Sequence, residues 1–155
     1  MHNNPTLIQG VEIKPLRVYV DDRGIVVEIL RSDDPLFTRF GQVYYATCNP
    51  GVVKAWHYHK IHTDYLYCIH GSAKLGLYDG REDSPTKGLT NVFVLNEYNH
   101  LLVKVPPGVW HGNSCLGAEP CIMVNIPTHV YDPSDEYKHD PFDPGIPFDW
   151  KARSG

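Results

Sequence analysis

The chain alternates apolar and polar positions over short stretches, and glycine, proline and aspartate interrupt the pattern repeatedly. Val, Ile, Leu and Tyr gather in segments 10–19, 25–30, 41–48, 52–58, 64–70, 73–79, 91–95, 101–105, 113–116 and 121–126, each of which reads as a β-strand. Turn signals separate them: Asp21-Asp22-Arg23-Gly24, Asn49-Pro50-Gly51, His70-Gly71, Asp79-Gly80 and Pro106-Pro107-Gly108. No stretch keeps a helical period for as long as a typical helix needs. Many short, closely spaced strands predict an all-β sandwich or jelly-roll barrel, since each strand buries a face only by packing against others.

From residue 127 the character changes. Proline, glycine and acidic residues dominate 127–155, which predicts an irregular C-terminal arm or short helix packed on a barrel core of about 10–126. A chain of 155 residues that is 42% apolar supports one hydrophobic core, hence a single domain over 1–155. The net charge of -4 and the lack of a basic run exclude a nucleic-acid surface, while leaving room for a pocket that focuses Lys and Arg on a small anion. Cys48, Cys68, Cys115 and Cys121 form no C-x-x-C pair and no signal segment precedes them, so reduced thiols and a cytoplasmic location are expected. No apolar run approaches the length of a membrane span, so no membrane partner is expected.

The chemistry concentrates in histidine. Six of the nine histidines fall between positions 57 and 111, three of them in His57-Tyr58-His59-Lys60-Ile61-His62-Thr63-Asp64. Residues i and i+2 of a strand share a face, so His57 and His59 point the same way, and a turn can return Asp64 beside them. Two chemistries fit. Imidazole nitrogens and a carboxylate, with one position left open, suit a divalent metal such as Zn, Mn, Ni or Fe, with His57, His59, Asp64 and His111 as candidate ligands. The same groups can also exchange protons without a metal, because histidine titrates near neutral pH. Tyr44, Tyr45, Tyr58, Tyr65 and Tyr67 are expected to line the barrel interior, and His62 and His70 to sit in surface turns.

The spacing Gly51-x5-His57-x-His59-x4-Asp64-x6-Gly71, followed by Pro106-x-Gly108-x-x-His111, resembles the two-part cupin signature, with Asp64 where Glu is usual. That resemblance implies a cupin-type double-stranded β-helix. A longer series resembles the dTDP-4-dehydrorhamnose 3,5-epimerase family along most of the chain. It comprises Asp22-Arg23-Gly24 with Glu28, Phe40-x-Gln42, Trp56-His57-Tyr58, Gly71, Ser84-Pro85-Thr86-x-Gly88, Val105-Pro106-x-Gly108-x-x-His111-Gly112, Tyr131-x-Pro133-x-x-Glu136, and Asp143-Pro144-x-Ile146-x-x-Asp149-Trp150. The resemblance implies a cofactor-independent enzyme that epimerises or isomerises a nucleotide-diphosphate sugar. Protons would move alpha to the carbonyl of a 4-keto-6-deoxyhexose, in a pathway to polysaccharide or another glycosylated product. It makes His57 the base and His111 its pocket neighbour; His59 and Asp64, which the epimerase pattern does not call for, are further catalytic candidates from the cluster itself. It assigns Arg23 and Gln42 to the nucleotide diphosphate, with Lys54 replacing the family's Arg three residues before the base; Glu28, Tyr44, Asn125 and Tyr131 are further substrate-binding candidates. It also implies a homodimer in which an N-terminal strand over 11–19 crosses to the partner and Arg23 reaches the other pocket.

Three positions depart from the family. Its catalytic tyrosine falls on Asn125, and an amide is no proton donor of the phenol's kind. Its pocket lysine falls on Asp64, and the aspartate that orients its histidine is expected in a segment beyond Gly155. A shorter stretch, His57-x-His59-Lys60 with Gly71-Ser72 and Asp79-Gly80, resembles the dTDP-4-keto-6-deoxyglucose 3,4-ketoisomerases. The rival reading is a metal-dependent cupin, whether oxygenase, lyase or non-catalytic sugar-binding protein.

Overall fold

The computed structural model describes residues 6–152. Twelve strands form in chain order: β1 Glu12–Pro15, β2 Val18–Asp21, β3 Gly24–Val27, β4 Tyr44–Cys48, β5 Val53–Tyr58 and β6 Asp64–His70, then β7 Ala73–Tyr78, β8 Thr90–Leu95, β9 Leu101–Val105, β10 Trp110–Cys115, β11 Cys121–Asn125 and β12 Tyr137–Lys138. All pair antiparallel. Two five-stranded sheets, β1-β9-β6-β11-β4 and β12-β5-β10-β7-β8, face one another as a cupin-type jelly-roll barrel, and β2-β3 stands apart as a hairpin. Among the described residues there is no α-helix.

Strand alternation sorts the side chains into three apolar clusters. Leu66, Leu75, Leu77, Leu95, Val103, Val105 and Met123 fill the space between the sheets. Tyr65, Tyr67 and Leu102 point out of the first sheet and are covered by Leu16 and Leu36 of the N-terminal segment. Trp56 points out of the second sheet, beneath Ile146 and Trp150 of the C-terminal arm. Strands covered on both faces are buried almost throughout, as Asp64 to Cys68 of β6 are.

This sorting corrects the expected aromatic lining. Only Tyr44 of the five tyrosines faces the cavity. Tyr45, its neighbour on β4, alternates to the outside and is 69% exposed. Tyr58 lies outside, stacked on Tyr137 and edge-on to Trp110. Tyr65 donates its hydroxyl to Leu36 O at 2.8 Å, and Tyr67 bonds His100.

Element bounds shift where the backbone finds other partners. The expected strand over 10–19 divides after Pro15, which has no N–H for a ladder, and Leu16 N donates instead to His100 O. Segment 41–48 pairs only from Tyr44, because Gly41 N and Gln42 N both donate to Pro127 O. The last strand before residue 121 starts at Trp110 and so includes His111. The arm is more than a cover. It holds a 3-10 turn over Pro133–Asp135, capped by Asp132 and opened by Pro133, followed by β12 on the edge of β5.

Candidate active site

The site begins with a register. His57 on β5 lies directly opposite His111 on β10, so their rings meet with centroids 4.3 Å apart. Beyond that pair the register slips: Asn113 faces Lys54, and Gly112 alone opposes Ala55 and Trp56. This bulge reverses parity. Lys54 and His57, three residues apart, both turn to the interior, while Ala55 and Trp56 turn to the arm. Gly112 is required there, since a Cβ would lie 2.3 Å from Ala55 Cβ.

Asp64 is the hub of the histidines. It is 1% exposed at the start of β6. Its Oδ2 lies 3.3 Å from His111 Nε2 and 3.7 Å from His59 Nε2, and its Oδ1 lies 3.4 Å from His62 Nε2. Asn125 Nδ2 donates to Oδ1 at 2.6 Å. His62 is therefore a member of the cluster. The surface-turn expectation is corrected: its ring is 8% exposed and stacks on His59 at 3.8 Å, because the 59–63 turn folds inward under Asp135. The Asp135 carboxylate accepts from Lys60 N at 2.7 Å and Ile61 N at 3.1 Å, fixing that turn. His70, at the end of β6, is exposed as expected.

Two rings have their tautomers set by the backbone. His59 Nδ1 bonds Asp135 O at 2.8 Å and His111 Nδ1 bonds Val109 O at 3.0 Å, and a carbonyl only accepts, so each Nδ1 carries a proton. The Nε2 atoms then face His57 and Asp64, and the buried His111 Nε2 makes no well-aligned hydrogen bond although Asp64 Oδ2 stands 3.3 Å away. Ring nitrogens of His57, His59 and His111 lie within 4.8 Å of one another, as do ligand atoms of His59, His62 and Asp64.

Charge follows from these contacts. Burial, reinforced by the His111 ring, holds His57 well below the usual histidine range, so it is a neutral acceptor at neutral pH. Burial alone would raise the Asp64 carboxyl, yet the neighbouring His111 and His62 imidazoles keep it well below the carboxylate range. Burial also opposes protonation of His62, but Asp64 outweighs it and raises that ring.

Two adjoining cavities of about 350 and 370 Å³ open beside the cluster, sharing Tyr44, His57 and Glu136. Together they match the volume of a small-ligand cleft. Lys54 and Asn125 line the first, Gln42, His59 and Tyr131 the second. Arg23 and Glu28 lie elsewhere: Arg23 pairs with Asp21 at the hairpin tip and Glu28 with Arg31, both exposed. Sequence reasoning missed His62, Asp135 and Lys138 as site residues. For Lys138 a signal existed, because it lies two residues beyond Glu136 in extended backbone and lines the same cavity.

Fold and cluster together define a cupin barrel that gathers imidazoles around a buried carboxylate beside a cleft. The family model described as dTDP-4-dehydrorhamnose 3,5-epimerase matches residues 5–154. The probable low-salt glycan biosynthesis epimerase Agl13 of Haloferax volcanii is 40% identical over 92% of this chain and 89% of its own. The spore coat polysaccharide biosynthesis protein SpsL of Bacillus subtilis is 40% identical over 94% and 98%. The crystal structure of a dTDP sugar isomerase from Desulfovibrio desulfuricans superposes with a TM-score of 0.88 at 33% identity, covering 92% of each chain. The chain belongs to the dTDP-4-dehydrorhamnose 3,5-epimerase family and is a nucleotide-sugar epimerase. Among the described residues no helix is long and apolar enough to cross a membrane.

Proposed function

We propose that this chain, acting as one domain, moves protons alpha to the C4 carbonyl of a nucleotide-linked 4-keto-6-deoxyhexose, with His57 as the base. The observation that carries this reading is a neutral His57 ring on one wall of a sugar-sized cleft, backed by His111 and Asp64. The ketone acidifies the neighbouring C–H, His57 takes that proton, and the electron pair passes to the carbonyl oxygen as an enolate. Lys54 supplies a cation at the same wall, for the enolate or the diphosphate. Gln42 and Tyr131 hold the other end of the ligand, Gln42 Oε1 already accepting from Tyr131 N.

Arg23 and Glu28 come to the site from a second copy. The hairpin that carries Arg23 leaves Val20 72%, Ile25 59% and Val26 63% exposed, an apolar surface suited to a homodimer. The four free, buried cysteines fit a reducing cytoplasm. The chemistry needs no redox cofactor, because hydrogen leaves and returns as a proton.

The test is incubation with dTDP- and UDP-4-keto-6-deoxyhexoses in deuterated water. Deuterium at C3 or C5, lost in His57→Ala, is the expected result and names the carbon that reacts. Absence of exchange with every sugar rejects the reading.

A second reading is favoured by one observation: the buried His111 Nε2 and the similarly presented His59 Nε2 converge with a ring nitrogen of His57. These three rings, with Asp64 beside them, would hold one divalent cation, which would polarise a substrate oxygen. Metal analysis of untagged protein decides it. Stoichiometric metal whose removal by chelator abolishes exchange supports the cation, and full activity without metal rejects it.

A further inference from the structure

We infer that Tyr44 is the proton donor of this enzyme, delivering its phenolic hydrogen to the sugar carbon on the face opposite His57. The assignment rests on the epimerase reading above and concerns the half of the reaction which that reading leaves without a residue. Inversion needs two groups on two sides of the sugar ring, and the position where the family places its phenol holds Asn125.

The structure supplies a phenol one strand away. Asn125 and Tyr44 are register partners across β11 and β4, and Asn125 Nδ2 donates to the Tyr44 hydroxyl oxygen at 3.0 Å. Tyr44 lines both cavities together with His57. The two side chains rise from opposing sheets, β4 in the first and β5 in the second, so a sugar ring in the cleft lies between them.

The hydrogen bonds leave the Tyr44 proton available. The Asp64 carboxylate needs a donor, so the amide nitrogen of Asn125 is the atom turned to it, at 2.6 Å. The second hydrogen of that nitrogen points to the Tyr44 oxygen. Tyr44 thus accepts from Asn125 and keeps its own O–H for the cleft. The same amide hydrogen stabilises the phenolate that forms when the proton leaves. Tyr131 is the other phenol in the cleft, but its hydroxyl donates to Glu136 at 3.1 Å.

The step balances. His57 removes the proton on its side, and the C–H pair becomes the enolate. The enolate carbon takes the Tyr44 hydrogen on the other side, forming the new C–H bond and restoring the ketone. Tyr44, 46% exposed, recovers a proton from water, and the His57 imidazolium returns its proton to water. No oxidant or reductant takes part.

The experiment follows inversion and exchange together, in deuterated water, for wild type, Tyr44→Phe and the double variant Tyr44→Asn with Asn125→Tyr. Tyr44→Phe is expected to lose inversion by about 100-fold or more, while His57 still washes deuterium into the recovered substrate within a few-fold of wild type. The double variant returns a phenol to the neighbouring position and is expected to regain inversion well above Tyr44→Phe. Tyr44→Phe that inverts like wild type overturns the assignment. So does Tyr44→Phe that loses exchange together with inversion, because abstraction by His57 is independent of the donor. A wild type inert towards every 4-ketosugar removes the epimerase reading itself, a result distinct from the first two.

Discussion

The Asp64 carboxylate stands 3.3 Å from His111 Nε2 and receives the Asn125 amide at 2.6 Å on its other oxygen. One buried charge therefore touches a ring behind the base and the amide beside the phenol. Replacing it by the isosteric Asn removes the charge that keeps the imidazole cluster protonatable and leaves one acceptor oxygen where Asn125 and the histidines now have two. Asp64→Asn is expected to lower kcat by about 100-fold or more with a small change in KM. Steady-state kinetics check this, and an unchanged kcat would remove Asp64 from the mechanism.

His57 gives the reaction a pH signature. Burial and His111 depress it, so it remains a free base below the pH at which an exposed histidine would protonate. The acid limb of kcat/KM is expected to have its midpoint below about pH 6.5. A midpoint at or above that value contradicts the depressed base. The stability effect has the matching sign. As pH falls below about 6.5 the unfolded chain protonates His57 first, so this group lowers stability on acidification, while His62, raised by Asp64, favours the folded state there and loses that contribution as pH rises through its folded value.

Asp79 governs stability away from the site. Its carboxylate is fully buried and accepts from Arg81 Nε at 2.8 Å, Ser84 Oγ at 2.6 Å and Thr86 Oγ1 at 2.6 Å. This network is the structural role of the Ser84-Pro85-Thr86 motif. Despite burial, these donors hold the carboxyl far below its usual range, so the stability it confers is present above about pH 3.9 and is lost as pH falls towards the folded value. Asp79→Asn is expected to cost about 3–5 kcal/mol at neutral pH and less in acid. Thermal unfolding across pH measures both.

The arm is coupled to the barrel at Gly76. A Cβ there would lie 2.5 Å from the Phe148 ring and 2.7 Å from the Trp150 ring, which are packed on Trp56. Gly76→Ala is expected to cost about 1–3 kcal/mol and to weaken substrate binding, since the arm also carries Glu136 and Lys138 into the cleft. A variant as stable as wild type would show that the arm yields without cost.

Much of this molecule is legible in its sequence. The strands β4 to β9 and β11 follow from local alternation and turn residues, and His57, His59, Asp64 and His111 stand out by spacing. The turn at 59–63 was not legible, because it is shaped by Asp135, more than 70 residues away, which draws His62 inward. Nor was the facing of the tyrosines, since period-two alternation says which residues share a face but leaves open which face is inside.

The residues themselves determine the all-β character, the turns and the histidine-rich composition of the site, because propensity, parity and turn chemistry act over a few neighbouring positions. The tertiary structure decides that Lys54 joins His57 through a bulge opposite Gly112, that Asp64 lies among three rings, and that Tyr44 lies beside Asn125. Those are matters of cross-strand register and sheet-on-sheet packing, set by contacts between segments far apart in the chain, where no local pattern reaches.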